Sequence, residues 1–428
     1  MRIALLNGSA YINGKVEKRN ILIDDSKILK ITKDKIEAQK IIDCKNLLIL
    51  PGAIDVHVHF RTPGFEYKED WISGSLAALH GGVTTVMDMP NTNPPTDSLK
   101  RLEEKKELIA RDALIDFDLY MAATEHNLEK IAKAKNLRAV KLYFGSTTGN
   151  ILFNKLEKVE ELFKLSKAKN FIVVVHAEDE EIIKKNEAQF RNDKHFNENK
   201  WAEVHALIRS EEAESKAISD LLTIQSKIGN KLHIAHISSK KGVKLVEKAK
   251  EEKYGKNVTC EVTPHHLLLS SNDYKQFGNL LKCNPSVKGA EHQKALFLAL
   301  KKGVIDIVST DHAPHSPEEK AKEYWTCPSG VPGVETMMPV LLDQVSKKKL
   351  TLQKVVEVAC ENPAKIFNWK NKGYIKEGFD ADFAIIDMNE QYTLENSKLF
   401  TKAAYSVFSG LKLKGFVKYT ISRGELYG

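Results

Sequence analysis

The sequence predicts an α/β fold: a (β/α)8 TIM barrel joined to a small β-sandwich domain built from both termini. Between residues 51 and 370, eight short apolar runs alternate with longer helical patterns. Such alternation is typical of a parallel sheet, and eight strands match a barrel of about 250 residues before insertions. Strand patterns and glycine turns dominate residues 1–50 and 371–428 instead. We therefore expect these two ends to form the β-sandwich beside a barrel of residues 51–370.

The eight apolar runs are the predicted barrel strands, in chain order. They cover residues 53–58, 83–87, 115–121, 139–143, 171–175, 232–235, 258–262 and 305–309. Helices are predicted between most of them, at 70–80, 99–111, 155–167, 211–227 and 240–252. Residues 179–200 are highly charged and lack a clear period, so we expect a solvated excursion there. Residues 312–335 have Pro and Gly at both ends, and we expect either a mobile flap or a static loop.

Composition excludes several classes of protein. The chain of 428 residues is 42% hydrophobic, which is ordinary for a globular protein, and no run approaches the roughly 18 apolar residues of a membrane span. The N-terminus lacks an apolar signal core. The five cysteines are scattered and odd in number, which argues against a disulfide framework. The cysteines therefore indicate a reducing cytoplasm, and we expect no membrane partner. Because the net charge of +8 comes from dispersed lysines, we expect no nucleic-acid partner either.

Reactive side chains stand where the predicted strands end. In a barrel of this kind the site is built at the carboxyl ends of the strands. The residues found there are His57 and His59 after strand one, Lys141 in strand four, His176 after strand five, His236 after strand six and Asp311 after strand eight. Imidazoles and carboxylates are ligands of divalent metals. Their repeated placement at one barrel mouth predicts a metal-dependent hydrolase.

The spacing of His57 and His59 suits metal binding, because side chains two apart on a strand point to the same face. Two imidazoles on one face can hold one metal ion. Arg61 continues the alternation and adds a cation beside that ion. A pair of ordinary histidines near a turn is the alternative.

Lys141 needs different chemistry, since a protonated amine cannot bind a metal and a free lysine has a pKa of about 10.4. Burial beside cations favours the neutral amine. A neutral amine can add CO₂ to give a carbamate, which is able to bridge two metal ions. A lysine that extends along the strand to reach solvent is the alternative for this residue.

In chain order, the motifs resemble those of the dihydroorotases of the longer, bacterial type in the amidohydrolase superfamily. The matching segments are Asp-Val-His-Val-His-Phe-Arg (55–61), Met-Pro-Asn-Thr (89–92), Lys-Leu-Tyr (141–143), His-Ala-Glu (176–178), His236, Glu-Val-Thr-Pro-His-His (261–266), Asn-Pro (284–285) and Asp-His-Ala-Pro-His (311–315). They extend across nearly the whole chain. Together they are highly specific, although each alone is not.

The resemblance implies two Zn²⁺ ions per subunit and assigns their ligands. The first ion would be held by His57, His59 and Asp311, the second by His176 and His236, with a carboxylated Lys141 bridging both. The substrate would contact Arg61, Asn91, Asn284, His315 and the backbone near Pro332 and Gly333. Asp311 would also act as general base and general acid. A homodimer is expected by family analogy alone.

The reaction implied by the resemblance is the reversible hydrolysis of the cyclic amide of (S)-dihydroorotate to N-carbamoyl-L-aspartate, in de novo pyrimidine biosynthesis. Arg61 favours this substrate, because a guanidinium pairs with a carboxylate in bidentate geometry. A hydantoin or dihydropyrimidine ring lacks the carboxylate and would leave that guanidinium unpaired. Two alternatives stay open: an allantoinase or hydantoinase-type enzyme with the same metals, and a catalytically silent homologue that serves as a scaffold.

Overall fold

The computed structural model describes residues 1–147, 151–192 and 201–428. Five strands open the chain: β1 (Arg2–Ile12), β2 (Lys15–Asp24), β3 (Lys27–Thr32), β4 (Lys40–Asp43) and β5 (Leu48–Pro51). The turn between β1 and β2 places Asn13 and Gly14 at φ of 49° and 80°. Asn and Gly tolerate these left-handed angles better than other residues do, which is why the chain reverses at this point.

Parallel strands build the barrel in chain order. They are β6 (Ala53–Val58), β7 (Val83–Asp88), β8 (Asp116–Leu119), β9 (Met121–Ala122), β10 (Ala139–Tyr143), β11 (Ile172–His176), β12 (Leu232–Ile234), β13 (Val258–Val262) and β14 (Ile307–Val308). Strands β6 to β8 pair in sequence, as do β9 to β14. Tyr120 alone separates β8 from β9, so the two occupy one position of an eight-membered ring.

Hydrogen bonds around His312 close this ring. The backbone N–H of His59 donates to the carbonyl of His312 at 2.8 Å, and the N–H of His312 donates to the carbonyl of His57 at 3.3 Å. Val58 and His312 thereby form a parallel bridge between the first strand and the segment after the last one. The predicted parallel barrel is confirmed. Its closure places His57 and His59 beside His312, the residue after Asp311.

Helices cover the outside of the barrel and connect its strands. They are α1 (Trp71–His80), α2 (Leu99–Ile109), α3 (Leu128–Lys133), α4 (Leu156–Lys169), α5 (Glu180–Arg191), α6 (Trp201–Ile208), α7 (Glu211–Ile228), α8 (Lys240–Lys250), α9 (Pro264–Leu268), α10 (Tyr274–Phe277), α11 (Ala290–Lys302), α12 (Pro317–Lys320), α13 (Met337–Ser346), α14 (Leu352–Val356) and α15 (Asn362–Ile366). The five predicted helices are confirmed as α1, α2, α4, α7 and α8. No described helix is long and apolar enough to cross a membrane.

The expectation of a solvated excursion at 179–200 is wrong for its first part, which forms α5. The carboxylate of Asp179 caps this helix by accepting a hydrogen bond from the N–H of Ile182 at 3.0 Å. The carboxylate of Glu180 accepts from the N–H of Ser146 at 2.7 Å and so ties the helix to the loop after β10. Ile183 is buried, Ile182 and Phe190 pack against the same apolar cluster, and most of the charged side chains are exposed. Residues 193–200 lie outside the described residues.

The last strands return to the first ones. Strands β15 (Phe383–Thr393), β16 (Lys412–Ser422) and β17 (Glu425–Tyr427) extend the N-terminal strands into one mixed sheet. Its order is β17-β16-β15-β5-β1-β2-β3, with β4 paired to β1. Its inner side chains, such as Ile21 and Phe383, form a core of their own. The predicted sheet built from both termini is confirmed; the division of the chain at residues 50 and 370 stays a prediction.

Candidate active site

The carboxyl ends of the barrel strands surround one buried cavity. The predicted site residues that line it are His57, His59, Arg61, Asn91, Lys141, His176, His236, Asn284 and Asp311. Further lining residues include Tyr143, Thr147, Ala313, Ser329 and Gly330. The strand ends therefore bring together the side chains that were predicted to converge, although they are separated by more than two hundred residues in the chain.

The first group of potential metal ligands comes from β6 and the end of β14. Nε2 of His59 and Nε2 of His57 lie 3.0 and 3.2 Å from Oδ1 of Asp311. The opposite ring nitrogens are engaged: Nδ1 of His57 bonds to the carboxylate of Glu261, and Nδ1 of His59 lies 2.7 Å from Oδ1 of Asn91. We assign the ring protons to Nδ1, where they meet these oxygens. Both Nε2 atoms are then free to coordinate a metal.

The second group comes from β11 and β12. Nδ1 of His176 and Nε2 of His236 face each other at 3.1 Å. Burial lowers the pKa of both histidines, so their rings are neutral, as metal coordination requires. Nε2 of His176 lies 3.0 Å from the carboxylate of Glu178, which Arg209 also contacts. The pair therefore presents two ring nitrogens to one point, with a carboxylate behind one of them.

Lys141 lies between the two groups. It is 1% exposed, and its Nζ is 3.4 Å from Nε2 of His57. Burial lowers its pKa to about 8, against the opposing influence of Glu261 and Asp311. The alternative that its amine reaches solvent is wrong. A buried amine with this pKa is partly neutral near neutral pH, the form that reacts with CO₂.

The spacing of the donors fits divalent metal ions. Two imidazole nitrogens on a tetrahedral zinc ion, each about 2.1 Å from it, lie about 3.4 Å apart. The distance in the His176–His236 pair is close to that value. Ligand atoms of His57, His236 and Asp311 all lie within 4.8 Å of one another. Imidazole nitrogens, one carboxylate and one buried amine form a donor set that suits two ions better than one.

Three residues of the site have unusual backbone conformations. Arg61, His236 and Asp311 have φ angles of 66°, 34° and 47°. Residues other than glycine rarely adopt positive φ, and such strain of order 1–3 kcal/mol persists only where the surroundings enforce it. The strain falls on two potential metal ligands and on the cation beside them. We interpret it as a functional constraint, because each turn aims a side chain into the cavity.

Arg61 supplies the cavity with positive charge. Its side chain is 4% exposed; Nε donates to the carbonyl of Pro314 at 3.1 Å, and Nη2 lies 3.2 Å from Nε2 of His315. Among the described residues, no carboxylate forms an ion pair with this guanidinium. Burial accordingly lowers its pKa below the ordinary value. A buried cation without a counterion costs free energy, and an anionic ligand in the cavity would offset that cost.

The other predicted substrate contacts are distributed between the cavity and its rim. Oδ1 of Asn284 is buried and has no hydrogen-bond partner among residues 1–147, 151–192 and 201–428. His315 lies behind the cavity wall, between Arg61 and the carbonyl of Ser329, which is 3.2 Å from its Nε2. The backbone N–H of Gly333 donates to Nδ1 of His312 at 3.1 Å. Contacts of the substrate with these residues and with Pro332 stay predictions.

Sequence reasoning assigned no role to Tyr143 or Glu261. Tyr143 lines the cavity, and its hydroxyl has no hydrogen-bond partner within the described part of the chain. Burial keeps its pKa well above the ordinary value, so the hydroxyl remains a donor. Its position two residues after Lys141, on the same face of β10, was a usable signal. Glu261 was quoted only within a motif; nothing local shows that its carboxylate reaches across the barrel to His57.

Comparisons with known proteins agree with this geometry. The family model described as "Amidohydrolase family" matches residues 48–427. A curated dihydroorotase of Methanosarcina acetivorans is 36% identical over 99% of this chain and 91% of its own length. Those of Methanosarcina mazei and Pyrococcus furiosus are each 37% identical over 99% of this chain, and over 93% and 92% of their own lengths.

Solved structures show the same architecture. The L-hydantoinase from Arthrobacter aurescens superposes with a TM-score of 0.93 at 29% identity, covering 99% of this chain and 95% of that one. The dihydropyrimidinase from Brevibacillus agri NCHU1002 gives a TM-score of 0.91 at 24% identity, covering 100% and 95%, and this likeness concerns the fold alone. Because sequence relatives above 30% identity cover nearly the whole chain, this protein is a hydrolase that belongs to the amidohydrolase family, among the dihydroorotases.

Proposed function

We propose that this enzyme interconverts (S)-dihydroorotate and N-carbamoyl-L-aspartate in de novo pyrimidine biosynthesis, using two zinc ions. The proposal rests on one observation above all: a buried arginine that forms no ion pair with any described carboxylate lines a cavity of potential metal ligands. The substrate is a cyclic amide with a carboxylate. The cavity offers the substrate carboxylate a cation, Arg61. It offers the amide a metal-ligand floor, defined as His57, His59, Lys141, His176, His236 and Asp311.

The family implies metal ions, and the residues present suit them. One ion would be held by His57, His59 and Asp311, and the other by His176 and His236. A carboxylated Lys141 would contact both ions. Imidazole-rich sites favour zinc. Two bound divalent ions lower the pKa of a shared water toward neutrality and polarise an amide carbonyl.

Asp311 provides the proton transfer. Burial alone would raise its pKa, but His57 and His59 lower it below the ordinary value, so the carboxylate is ionised at neutral pH. An ionised carboxylate can take the proton of the attacking water. It then donates that proton to the ring nitrogen that leaves when the amide opens. In ring closure, the same carboxylate takes the proton from that nitrogen.

The remaining lining residues orient the ring. Arg61 would pair with the substrate carboxylate, with Asn91 as a further contact and His315 supporting the guanidinium from behind the cavity wall. Asn284 offers an unpartnered carbonyl oxygen to a ring N–H, and Tyr143 offers an unpartnered hydroxyl to a ring oxygen. Each of these buried groups costs about 1–3 kcal/mol when unsatisfied. A ligand that satisfies them therefore binds in one orientation.

A hydantoinase-type activity is the second candidate, since the solved L-hydantoinase structure superposes closely. Arg61 argues against it, because an uncharged ring leaves the guanidinium unpaired. A silent scaffold is disfavoured because all the proposed metal-ligand residues are present and converge. The cytosolic location and the homodimer stay predictions.

The test is a steady-state assay of the zinc-loaded protein on dihydroorotate, allantoin and hydantoin, with the variants Arg61→Met and Arg61→Lys. We expect a strong preference for dihydroorotate. Loss of charge-assisted hydrogen bonds worth about 1.5–3 kcal/mol should raise KM in Arg61→Met about 10- to 100-fold. Arg61→Lys keeps the charge without the bidentate geometry. Its KM should lie between those of the wild type and Arg61→Met.

Thermal melting provides the control for Arg61→Met. Since the substitution removes a buried cation without a counterion, we expect its Tm to equal or exceed that of the wild type. An unchanged KM for dihydroorotate would contradict the assignment of Arg61. Preference for an uncharged ring would move the enzyme to the hydantoinase type, and inactivity of the metal-loaded wild type on all three substrates would favour the scaffold.

A further inference from the structure

Two buried lysines tie together the loops that form one side of the cavity. Lys320, on α12, is 2% exposed. Its Nζ donates to the carbonyls of Lys282, Pro328 and Gly330 at 3.2, 3.2 and 3.0 Å. An ammonium has three N–H donors, so these carbonyls use all of them. Among the described residues, no carboxylate forms an ion pair with this ammonium.

Lys282 makes the reciprocal contacts from the other loop. It is 7% exposed, and its Nζ donates to the carbonyls of Tyr324 and Cys327 at 2.6 Å each. The same ammonium lies 4.3 Å from the centre of the Tyr324 ring. The backbone carbonyl of Lys282 accepts hydrogen bonds from Nζ of Lys320 and from the N–H of Gly330. Residues 312–331 and the segment that carries Asn284 are therefore cross-linked from both sides.

This arrangement costs stability. Burying an ammonium without a counterion is unfavourable even when its hydrogen bonds are satisfied. Burial accordingly lowers the pKa of both Lys282 and Lys320 to about 8. Apolar side chains would fill the same space without that cost. The lysines are better explained by the backbone geometry that they impose than by stabilisation of the fold.

The cross-linked backbone forms part of the cavity wall. Ser329 and Gly330 line the cavity. A Cβ on Gly330 would lie 2.9 Å from Cδ2 of His315 and 2.3 Å from the carbonyl oxygen of Ala313, so only glycine allows this approach. His315 is in turn 3.2 Å from both the carbonyl of Ser329 and Nη2 of Arg61. A shift of Gly330 would therefore displace His315 and, through it, Arg61.

We propose that Lys320 and Lys282 position the anion-binding wall, defined as Arg61, His315, Ser329 and Gly330, and thereby set the affinity for a carboxylated substrate. The inference rests on the proposed function, because it takes the carboxylate as the ligand of that wall. Neither lysine lines the cavity, so both are positioning residues. Tyr405 assists them, since its hydroxyl lies 3.3 Å from the carbonyls of both Gly330 and Leu280.

The test is Lys320→Met in the zinc-loaded full-length enzyme, which removes three donors at similar side-chain length. We expect KM for dihydroorotate to rise at least about tenfold, the equivalent of about 1.4 kcal/mol, with kcat and bound zinc within about threefold of the wild type. Lys322→Met is the matched control, because Lys322 is exposed in the same loop and should leave both constants unchanged. A wild-type KM in folded Lys320→Met would overturn the inference.

A double variant and a milder variant sharpen the test. If both lysines act through one wall, KM in Lys282→Met/Lys320→Met should rise less than the product of the two single effects; a full product would contradict a shared wall.

Should Lys320→Met fail to fold, Tyr405→Phe replaces it. A KM raised about threefold or more supports the inference, and an unchanged KM overturns it.

The two levels of proposal fail in different ways. A wild-type enzyme that carries zinc but does not turn over dihydroorotate disproves the proposed function. An active wild type whose lysine variants keep its KM disproves only the positioning role. A kcat that falls while KM is unchanged would also reject that role, because the lysines would then act on the metal-ligand floor.

Discussion

We propose that Asp311 combines two tasks, metal binding and proton transfer, that usually belong to different side chains. Its carboxylate lies against His57 and His59, as the proposed metal coordination requires, and lines the cavity. The left-handed backbone at φ 47° is the local strain that makes this placement possible. A carboxylate held this firmly and kept ionised by its neighbours is suited to receive a proton without moving.

Replacing Asp311 by asparagine should separate these tasks. The amide keeps one oxygen for the metal but cannot accept the proton, so we expect kcat to fall by about 10²–10⁴. Metal analysis should still find bound zinc, since His57, His59, His176 and His236 remain. Near-normal kcat would exclude the proton-transfer role, and loss of both ions would show that Asp311 serves mainly as a ligand.

At the scale of the element, one carboxylate of β13 contacts both its neighbour β12 and, across the barrel, β6. Glu261 bonds Nδ1 of His57 on β6 and lies 3.2 Å from Nε2 of His233 on β12. It also accepts from the backbone N–H of His236 at 3.3 Å. Through these contacts, one residue holds a histidine from each of the two groups of potential metal ligands.

Glu261→Gln should weaken metal binding without unfolding the barrel. A partner behind a ligating histidine is worth about 10- to 100-fold in metal affinity, and the amide cannot accept as strongly from the imidazole. Competition with a chromophoric zinc chelator measures the loss. Glu252→Gln, on an exposed residue, is the control. Equal affinity in the two variants would mean that Glu261 does not orient His57.

At the scale of the whole molecule, buried ion pairs attach the terminal sheet to the barrel. Nζ of Lys372 contacts Asp116 of β8 and lies 2.6 Å from Asp382 and 3.2 Å from Asp380 beside β15. The three carboxylates resemble a cation site in their spacing, but the ammonium of Lys372 already contacts all three. Although burial alone would lower the pKa of Lys372, Asp382 and Asp116 raise it above the ordinary value.

Lys372→Met should therefore destabilise the fold and leave catalysis intact. Removing one partner from a buried pair leaves uncompensated charge, and we expect a loss of about 3 kcal/mol in the free energy of unfolding. Because the folded pKa of Lys372 lies above the unfolded value, this contribution is present throughout neutral pH and is lost only as pH rises through the folded pKa. Denaturant titration measures the loss against exposed Lys370→Met; equal unfolding curves would contradict it.

The sequence alone determined the barrel, the shared terminal sheet and the reactive residues at the strand ends. These follow from local periodicity: apolar runs mark buried strands, and residues two apart on a strand share a face. His57, His59, Lys141, His176 and His236 converge because parallel strands end at one mouth. Helix α5 was not predicted because its apolar face is small, with Ile182, Ile183 and Phe190 set among many charged residues.

Only the tertiary structure decided which side chains meet across the barrel. The absence of a carboxylate beside Arg61 among the described residues, the reach of Glu261 to His57, and the Lys320–Lys282 cross-link all join residues far apart in the chain. Such contacts leave no period in the sequence, because hydrogen bonds and charge pairing depend on the three-dimensional approach of atoms. The strands set where the site lies, and these long-range contacts decide its charge and shape.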